Sequence, residues 1–250
     1  MDVQIKAIDN IAGAGAAGII VDGHGSGTWH NGAEAIILLK QGEAAPLPDS
    51  ILTVEPTSVC PKPTDLSFEA ASRLVAAFTV AASALNQYLG TSISGDLSGQ
   101  SNVGQPARAV LITGGETQTG AMLARLLHLK HPEMKVLLTM TGTSDEVMLQ
   151  RGRQLIGDLE ATYAIDGSAP DLMEHLSDAL EEYVGVRTVE VIFDTVGLAA
   201  SRPELRELLQ DQTKLCTFDT RDVGGDVGDG VGLMAGLAEA LANVLGGVWE

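Results

Sequence analysis

The sequence predicts an α/β protein in which a parallel sheet with helices on both faces follows a small β module. Three observations carry this. From residue 108 to about 218, short β-branched and aliphatic runs alternate with helical patterns, the order that builds a parallel sheet covered on both sides. One of these runs, Arg108–Thr113, breaks at Gly114, Gly115 and Gly120 and resumes with helical spacing. A strand, a glycine turn and a helix open a mononucleotide-binding unit of Rossmann-like type. Residues 1–65, by contrast, show strand-like alternation punctuated by glycine and proline, with no helical period.

The β module comes first. Val3–Ala7 alternates apolar and polar residues as a half-buried strand does. A glycine-dense stretch follows, in which Ala17–Val21 and Ala33–Leu39 read as strands around a turn at Gly23, Gly25 and Gly27. The run Gly13–Gly18 (GAGAAG) superficially suggests a dinucleotide fingerprint, but a strand follows it and the fingerprint requires a helix N-terminus. Pro46, Pro48, Pro56, Pro61 and Pro63 then leave room for one edge strand, Ile51–Val54.

Ser67 N-caps a helix running to about Leu89, with apolar Leu74, Ala77, Phe78, Ala81 and Leu85 at helical spacing. Residues 90–105, rich in Gly and Ser, read as a linker. The parallel-sheet domain, taken as 66–250, then runs strand 108–113, helix 118–130, strand 135–139, helix 144–156 and strand 162–165. Helix 171–183, strand 189–194, helix 202–209, strand 214–218 and a final alanine-rich helix, 233–244, complete it.

Composition narrows the function. A chain of 250 residues with 45% hydrophobic content buries a proper core. Its net charge of −18 opposes nucleic acid and anionic membranes, and neither is expected as a partner. No apolar run is read as long enough to span a bilayer, and the start MDVQIKAIDN lacks signal-peptide form, so a cytoplasmic setting is expected. Cys60 and Cys216 form no CxxC pair and are read as buried thiols. No metal site is expected.

Three segments together resemble the medium-chain dehydrogenase/reductase superfamily, in its zinc-free quinone-oxidoreductase and polyketide enoylreductase branch. Thr57–Leu85 resembles the passage from catalytic lobe to cofactor domain, Val110–Leu127 the phosphate loop and first helix, and Val189–Gly197 a later strand ending near the nicotinamide. The resemblance implies that residues 1–65 are a reduced GroES-like lobe and that hydride passes from NADPH to an activated C=C or C=O of a small, polyketide-like substrate. Two departures stand out. Between Lys6–Asn10 and Gly13 almost nothing remains of a segment that the family places beside substrate and nicotinamide. After Gly197 too little chain remains for the usual completion of the sheet plus a returning lobe.

The resemblance places the dinucleotide on Gly114, Gly115, Thr117, Gly120 and Thr141, with Thr113 and Thr119 as further donors. Glu116 lies in the same turn, and a carboxylate about 4 Å from a phosphate costs about 1 kcal/mol in water and more at lower dielectric. The end of the second strand, Met140–Ser144, offers hydroxyls but neither the acid that binds a ribose diol nor a cation for a 2′-phosphate. For proton transfer the candidates are His24 and His30, in the loop HGSGTWH, and Asp194, at a strand's carboxyl end. His128 and His131 are read as imidazolium groups capping a helix C-terminus, and His175 as exposed. Two functions remain open. One is the NADPH-dependent reductase, a homodimer or a partner in a synthase. The other is a relative without redox activity, working as a cofactor-independent cyclase, isomerase or dehydratase, or as a binding or scaffold module of a synthase.

Overall fold

The computed structural model describes residues 2–11, 15–23, 29–39, 46–64, 66–91, 108–140 and 162–218. Of these, residues 2–83 form one compact unit, and residues 84–91 with 108–218 form a second.

The first unit is an antiparallel sheet of five strands, β1 (Val3–Ile11), β2 (Gly15–Asp22), β3 (Glu34–Leu38), β4 (Ile51–Val54) and β5 (Val59–Pro61), in the order β4-β1-β2-β3-β5. The alternation read in β1 is real: Val3, Ile5 and Ala7 are fully buried while Gln4 and Lys6 are exposed. The buried face continues through Ala16, Ile20, Ala35, Ile37 and Val59. β5 is a strand that sequence reasoning missed. It follows a single 3-10 turn begun by Pro56 and ends at Pro61, and proline is tolerated there because β5 is an edge strand. Beyond register shifts at Gln4/Ile5 and Ala7/Asp9, β1 and β2 stay paired to their ends, with Ile11 opposite Gly15, so only residues 12–14 connect them.

Helix α1 (Phe68–Leu89) starts as expected, with Ser67 Oγ accepting from the Ala70 amide at 3.1 Å. Ala71, Leu74, Val75, Phe78, Ala81 and Leu85 are buried. The expectation that no apolar run could cross a bilayer needs correction, since α1, at 22 residues, is long and apolar enough. Its buried residues identify it as a core helix. Gly90, with φ +66°, ends it, and the Thr91 amide returns to the Leu85 carbonyl at 3.2 Å.

The second unit contains β6 (Ala109–Thr113), α2 (Gln118–Lys130), β7 (Lys135–Met140), β8 (Thr162–Asp166), α3 (Leu172–Ala179), β9 (Val191–Asp194), α4 (Leu198–Ser201) and β10 (Leu215–Thr217). All five strands are parallel, in the order β10-β9-β6-β7-β8. Right-handed crossovers then put α2 on one face of the sheet and α3 and α4 on the other. Alternate residues accordingly enter one core: Leu111, Leu137, Ile165 and Ile192 join Leu172, Leu176, Leu205 and Leu208. Their neighbours Val110, Ile112, Val136, Leu138 and Phe193 are buried too, which is why these strands read as continuous apolar runs.

Two helices differ from expectation. The segment read as helix 171–183 leaves α geometry after Ala179, and the Gly185 amide reaches the Leu180 carbonyl five residues back. The segment read as helix 202–209 is a 3-10 stretch, Pro203–Leu208, preceded by the one-turn α4. Pro203 lacks the amide that would have joined the two. The helices expected at 144–156 and 233–244 lie outside the described residues.

Side-chain chemistry corrects one reading and fits two. His131 does stand at the C-cap of α2, but its backbone amide does the capping, donating to the Leu127 carbonyl at 2.6 Å. Its ring lies 2.7 Å from the Thr91 hydroxyl, and burial pushes its pKa down, partly opposed by Glu133. Burial pushes the pKa of His128 down as well. Both rings are therefore neutral near pH 7, not imidazolium. His175 is exposed and pairs with Asp171 at 3.3 Å. Cys60 and Cys216 are buried free thiols.

Candidate functional site at the sheet's switch point

Counted along the chain, the strands of the second unit lie in the order 3-2-1-4-5, the doubly wound arrangement. The winding reverses between β6 and β9. Open α/β sheets hold ligands outside the carboxyl ends of the strands at that point, where this chain places Thr113–Gly120 and Asp194–Val196.

The turn after β6 is built by its glycines. Gly114 adopts φ +74°, and the amides of Gly114 and Gly115 both donate to the Thr139 carbonyl, at 3.0 and 2.9 Å. The chain folds back so that the Thr117 amide reaches the Gly114 carbonyl at 3.0 Å. Thr117 is the N-cap of α2, its Oγ1 accepting from the Gly120 amide at 2.9 Å. A Cβ on Gly120 would stand 2.3 Å from the Gly114 carbonyl oxygen, and one on Gly114 would stand 2.3 Å from Val196 Cγ1. Gly114 and Gly120 are thus required by the protein's own close packing, whatever binds above them.

A pair of reciprocal bonds ties β6 to β9. The Thr113 hydroxyl donates to Asp194 Oδ1, and the Thr195 hydroxyl donates to the Thr113 carbonyl at 2.6 Å. Thr195 Oγ1 also lies 2.9 Å from Thr117 Oγ1 and 3.1 Å from the Gly114 carbonyl. Asp194 is fully buried and further accepts from the amides of Leu198 at 2.9 Å and Ala199 at 2.8 Å. Its carboxylate therefore starts α4 and latches β6. Read from sequence as an acid–base candidate, Asp194 has no exposed surface from which to exchange a proton with a ligand. Behind it, Cys216 pairs in register with Phe193. Burial and nearby Asp194 push its thiol up to about 12, against the lowering effect of a hydrogen bond from Tyr88, so it is no nucleophile near neutral pH.

The remaining predicted residues are distributed as follows. His24 and Thr141 lie outside the described residues. His30 is exposed beside β3, in the first unit, so the structure does not bring His30 and Asp194 together in one unit. Of the phosphate-loop residues, Gly114, Gly115, Thr117 and Gly120 meet in one turn. Thr113 and Thr117 spend their hydroxyls on the protein itself. A hydroxyl has one proton; that of Thr117 goes to the Gly114 carbonyl at 2.8 Å or to Thr195. Among the described residues, the amides of Gln118 and Thr119 are the first-turn donors of α2 that make no hydrogen bond. Thr195 was not singled out in the sequence. The run of polar residues ending an apolar strand, Asp194-Thr195, was the available signal.

The backbone of this turn fits a phosphate: two open amides lie at the N-terminus of a helix of 13 residues, behind a glycine turn. One side chain departs from the fit. Glu116 is half-buried within the turn, and its Oε2 is shielded from solvent.

No protein-family model matches the sequence, and no curated protein matches it either. Solved structures do. The structure is similar to that of an Escherichia coli quinone oxidoreductase complexed with NADPH, at 16% identity and a TM-score of 0.61, covering 100% of this chain and 81% of that one. It is similar to the CurK enoyl reductase, at 16% identity and a TM-score of 0.60, with coverages of 97% and 80%. It is also similar to the CurF enoylreductase-type cyclopropanase of curacin A biosynthesis, at 18% identity and a TM-score of 0.58, with coverages of 97% and 78%. This chain thus has the fold of these quinone oxidoreductase and enoylreductase structures.

Proposed function

We propose that this protein is a reductase-like enzyme of small-molecule, polyketide-type metabolism that binds NADPH at the turn after β6. One observation carries the reading: the turn keeps a left-handed Gly114, a capped α2 and two open amides at the topological switch point. Gly114, Gly115 and Gly120 let the backbone form the seat, Thr117 holds it closed, and Gln118 and Thr119 supply donors to the pyrophosphate. Thr141, next in sequence after β7, completes the set. Bound NADPH would supply hydride for an activated C=C or C=O. The chain's own part is to orient the dinucleotide by its phosphates, with Asp194 holding the β6–β9 edge rigid beneath it. The setting is cytoplasmic, and the working form is a homodimer or a partner in a synthase.

Titration of NADPH and NADH into the folded protein, followed by calorimetry, tests this. Binding in the micromolar range is expected. Absence of binding at millimolar cofactor refutes it.

A second reading is favoured by the β1–β2 hairpin. Where the resemblance implies residues beside the substrate, Ile11 and Gly15 are already paired and three residues join them. A site so reduced suits cofactor-independent cyclisation, isomerisation or dehydration, or a binding role in a synthase. The likeness to a cyclopropanase shows that the fold is not tied to reductases by name.

A further inference from the structure

The geometry points to Thr195 as the positioning residue of the phosphate turn. This rests on the reading of that turn as a phosphate seat, but the observations behind it are independent of any ligand.

Bond capacities order the Thr195 end of the network. The Thr195 hydroxyl has one proton, and its shortest acceptor is the Thr113 carbonyl, at 2.6 Å against 3.1 Å for the Gly114 carbonyl. Thr195 Oγ1 is then left as an acceptor facing the Thr117 hydroxyl at 2.9 Å, beside the Gly114 carbonyl at 2.8 Å. Thr117 Oγ1 in turn accepts from the Gly120 amide at 2.9 Å. The Gly120 N–H thus donates to a Thr117 hydroxyl held between the Gly114 carbonyl and Thr195, and Thr195 is tied in turn to the carbonyl that ends β6. The network runs from the first turn of α2 to the strand behind it, and its middle link, Thr195, directly follows β9. Successive bonds of this kind polarise and strengthen one another.

The same residue is also in contact with the turn. A Cβ on Gly114 would lie 2.7 Å from Thr195 Oγ1, so Thr195 rests against the left-handed glycine. The N-cap of an isolated α2 would need only Thr117. Here the capping hydroxyl is itself aimed by a residue 78 positions away in sequence. The orientation of the Gln118 and Thr119 amides is thereby coupled to β9, the strand across the switch point. Thr195 touches no ligand in this scheme and acts through Thr117.

The test compares Thr195→Val, which keeps the shape and removes the hydroxyl, with Thr195→Ser, which keeps the hydroxyl. Amide hydrogen exchange at Gly120 and affinity for NADPH are measured on the full chain, together with Tm. In Thr195→Val, exchange at Gly120 is expected to rise and NADPH affinity to fall by about five- to tenfold, the equivalent of one ordinary hydrogen bond. Thr195→Ser restores both. Unchanged Gly120 exchange in Thr195→Val, or failure of Thr195→Ser to restore it, overturns the assignment. If Thr195→Val does not fold, Thr195→Ser and Thr195→Ala are compared in the same way. A wild-type protein that binds no NADPH refutes the cofactor reading alone, and Gly120 exchange still decides the role of Thr195.

Discussion

Gly120→Ala separates two roles that a glycine in such a turn can have. If glycine is there only to admit a ligand, alanine leaves the unliganded protein intact. Alanine in a helix is in fact favoured over glycine by about 1 kcal/mol. The structure opposes this gain. The added methyl would sit 2.3 Å from the Gly114 carbonyl oxygen and 3.0 Å from Thr117 Oγ1. The first is a backbone atom of the turn itself and cannot swing away. Overpacking of this kind costs about 1–3 kcal/mol, and moving the Gly120 amide off Thr117 forfeits a cap worth about 1 kcal/mol. The balance is a loss of about 1–3 kcal/mol without any ligand, or about 2–12 °C in Tm at about 2–4 °C per kcal/mol for a chain of this size. Gly115→Ala is the control. Its methyl would meet only the Leu138 side chain, at 3.2 Å and beyond, and a shift of under 1 kcal/mol is expected because an aliphatic side chain can give way. Thermal unfolding of the three unliganded proteins decides. A Gly120→Ala protein as stable as wild type refutes the packing account of this turn.

Two further outcomes follow. Asp194→Ala strands the Thr113 hydroxyl and the amides of Leu198 and Ala199 in a fully buried place, and a loss of about 3–5 kcal/mol is expected in chemical denaturation; a loss below 1 kcal/mol would show that the carboxylate is not structural. Burial depresses the pKa of His131 in the folded protein below its usual 6.5, so the unfolded chain binds more protons in the window below 6.5, and stability is lost as the pH falls through it. His131→Gln is expected to flatten that part of the stability–pH curve measured in denaturant, and an unchanged slope would count against it.

Most of the fold was legible because its strands obey simple periods. β1 alternates, and β6, β7 and β9 are continuous apolar runs, as half-buried and fully buried strands must be. What sequence could not supply was partnership. Nothing in Val59–Pro61 distinguishes a strand from a proline-rich loop until β3 lies beside it. The glycine turn was legible because left-handed backbone and close approach leave few choices of residue. The hydroxyls were not: Thr113, Thr117 and Thr195 each have as many uses as acceptors within reach, and only the juxtaposition of β6 and β9 turns them inward. Asp194 misled for the same reason. A carboxylate at a strand end suits ligand chemistry and helix initiation equally, although the Gly197-Leu198-Ala199 that follows was a hint of the latter.

The short joint between β1 and β2 bears on how such a lobe can be remodelled. Register is unbroken from Asp9–Ala17 to Ile11–Gly15, so the sheet does not depend on the length of chain that spans the joint. Lengthening a connection is thermodynamically cheap, about 0.6 kcal/mol for each doubling. The joint is therefore a natural graft point. Chain carrying new recognition groups can be spliced between residues 11 and 15 while the ladder on either side stays as it is, and a lobe of this design can shed or acquire such a segment without having to refold its sheet.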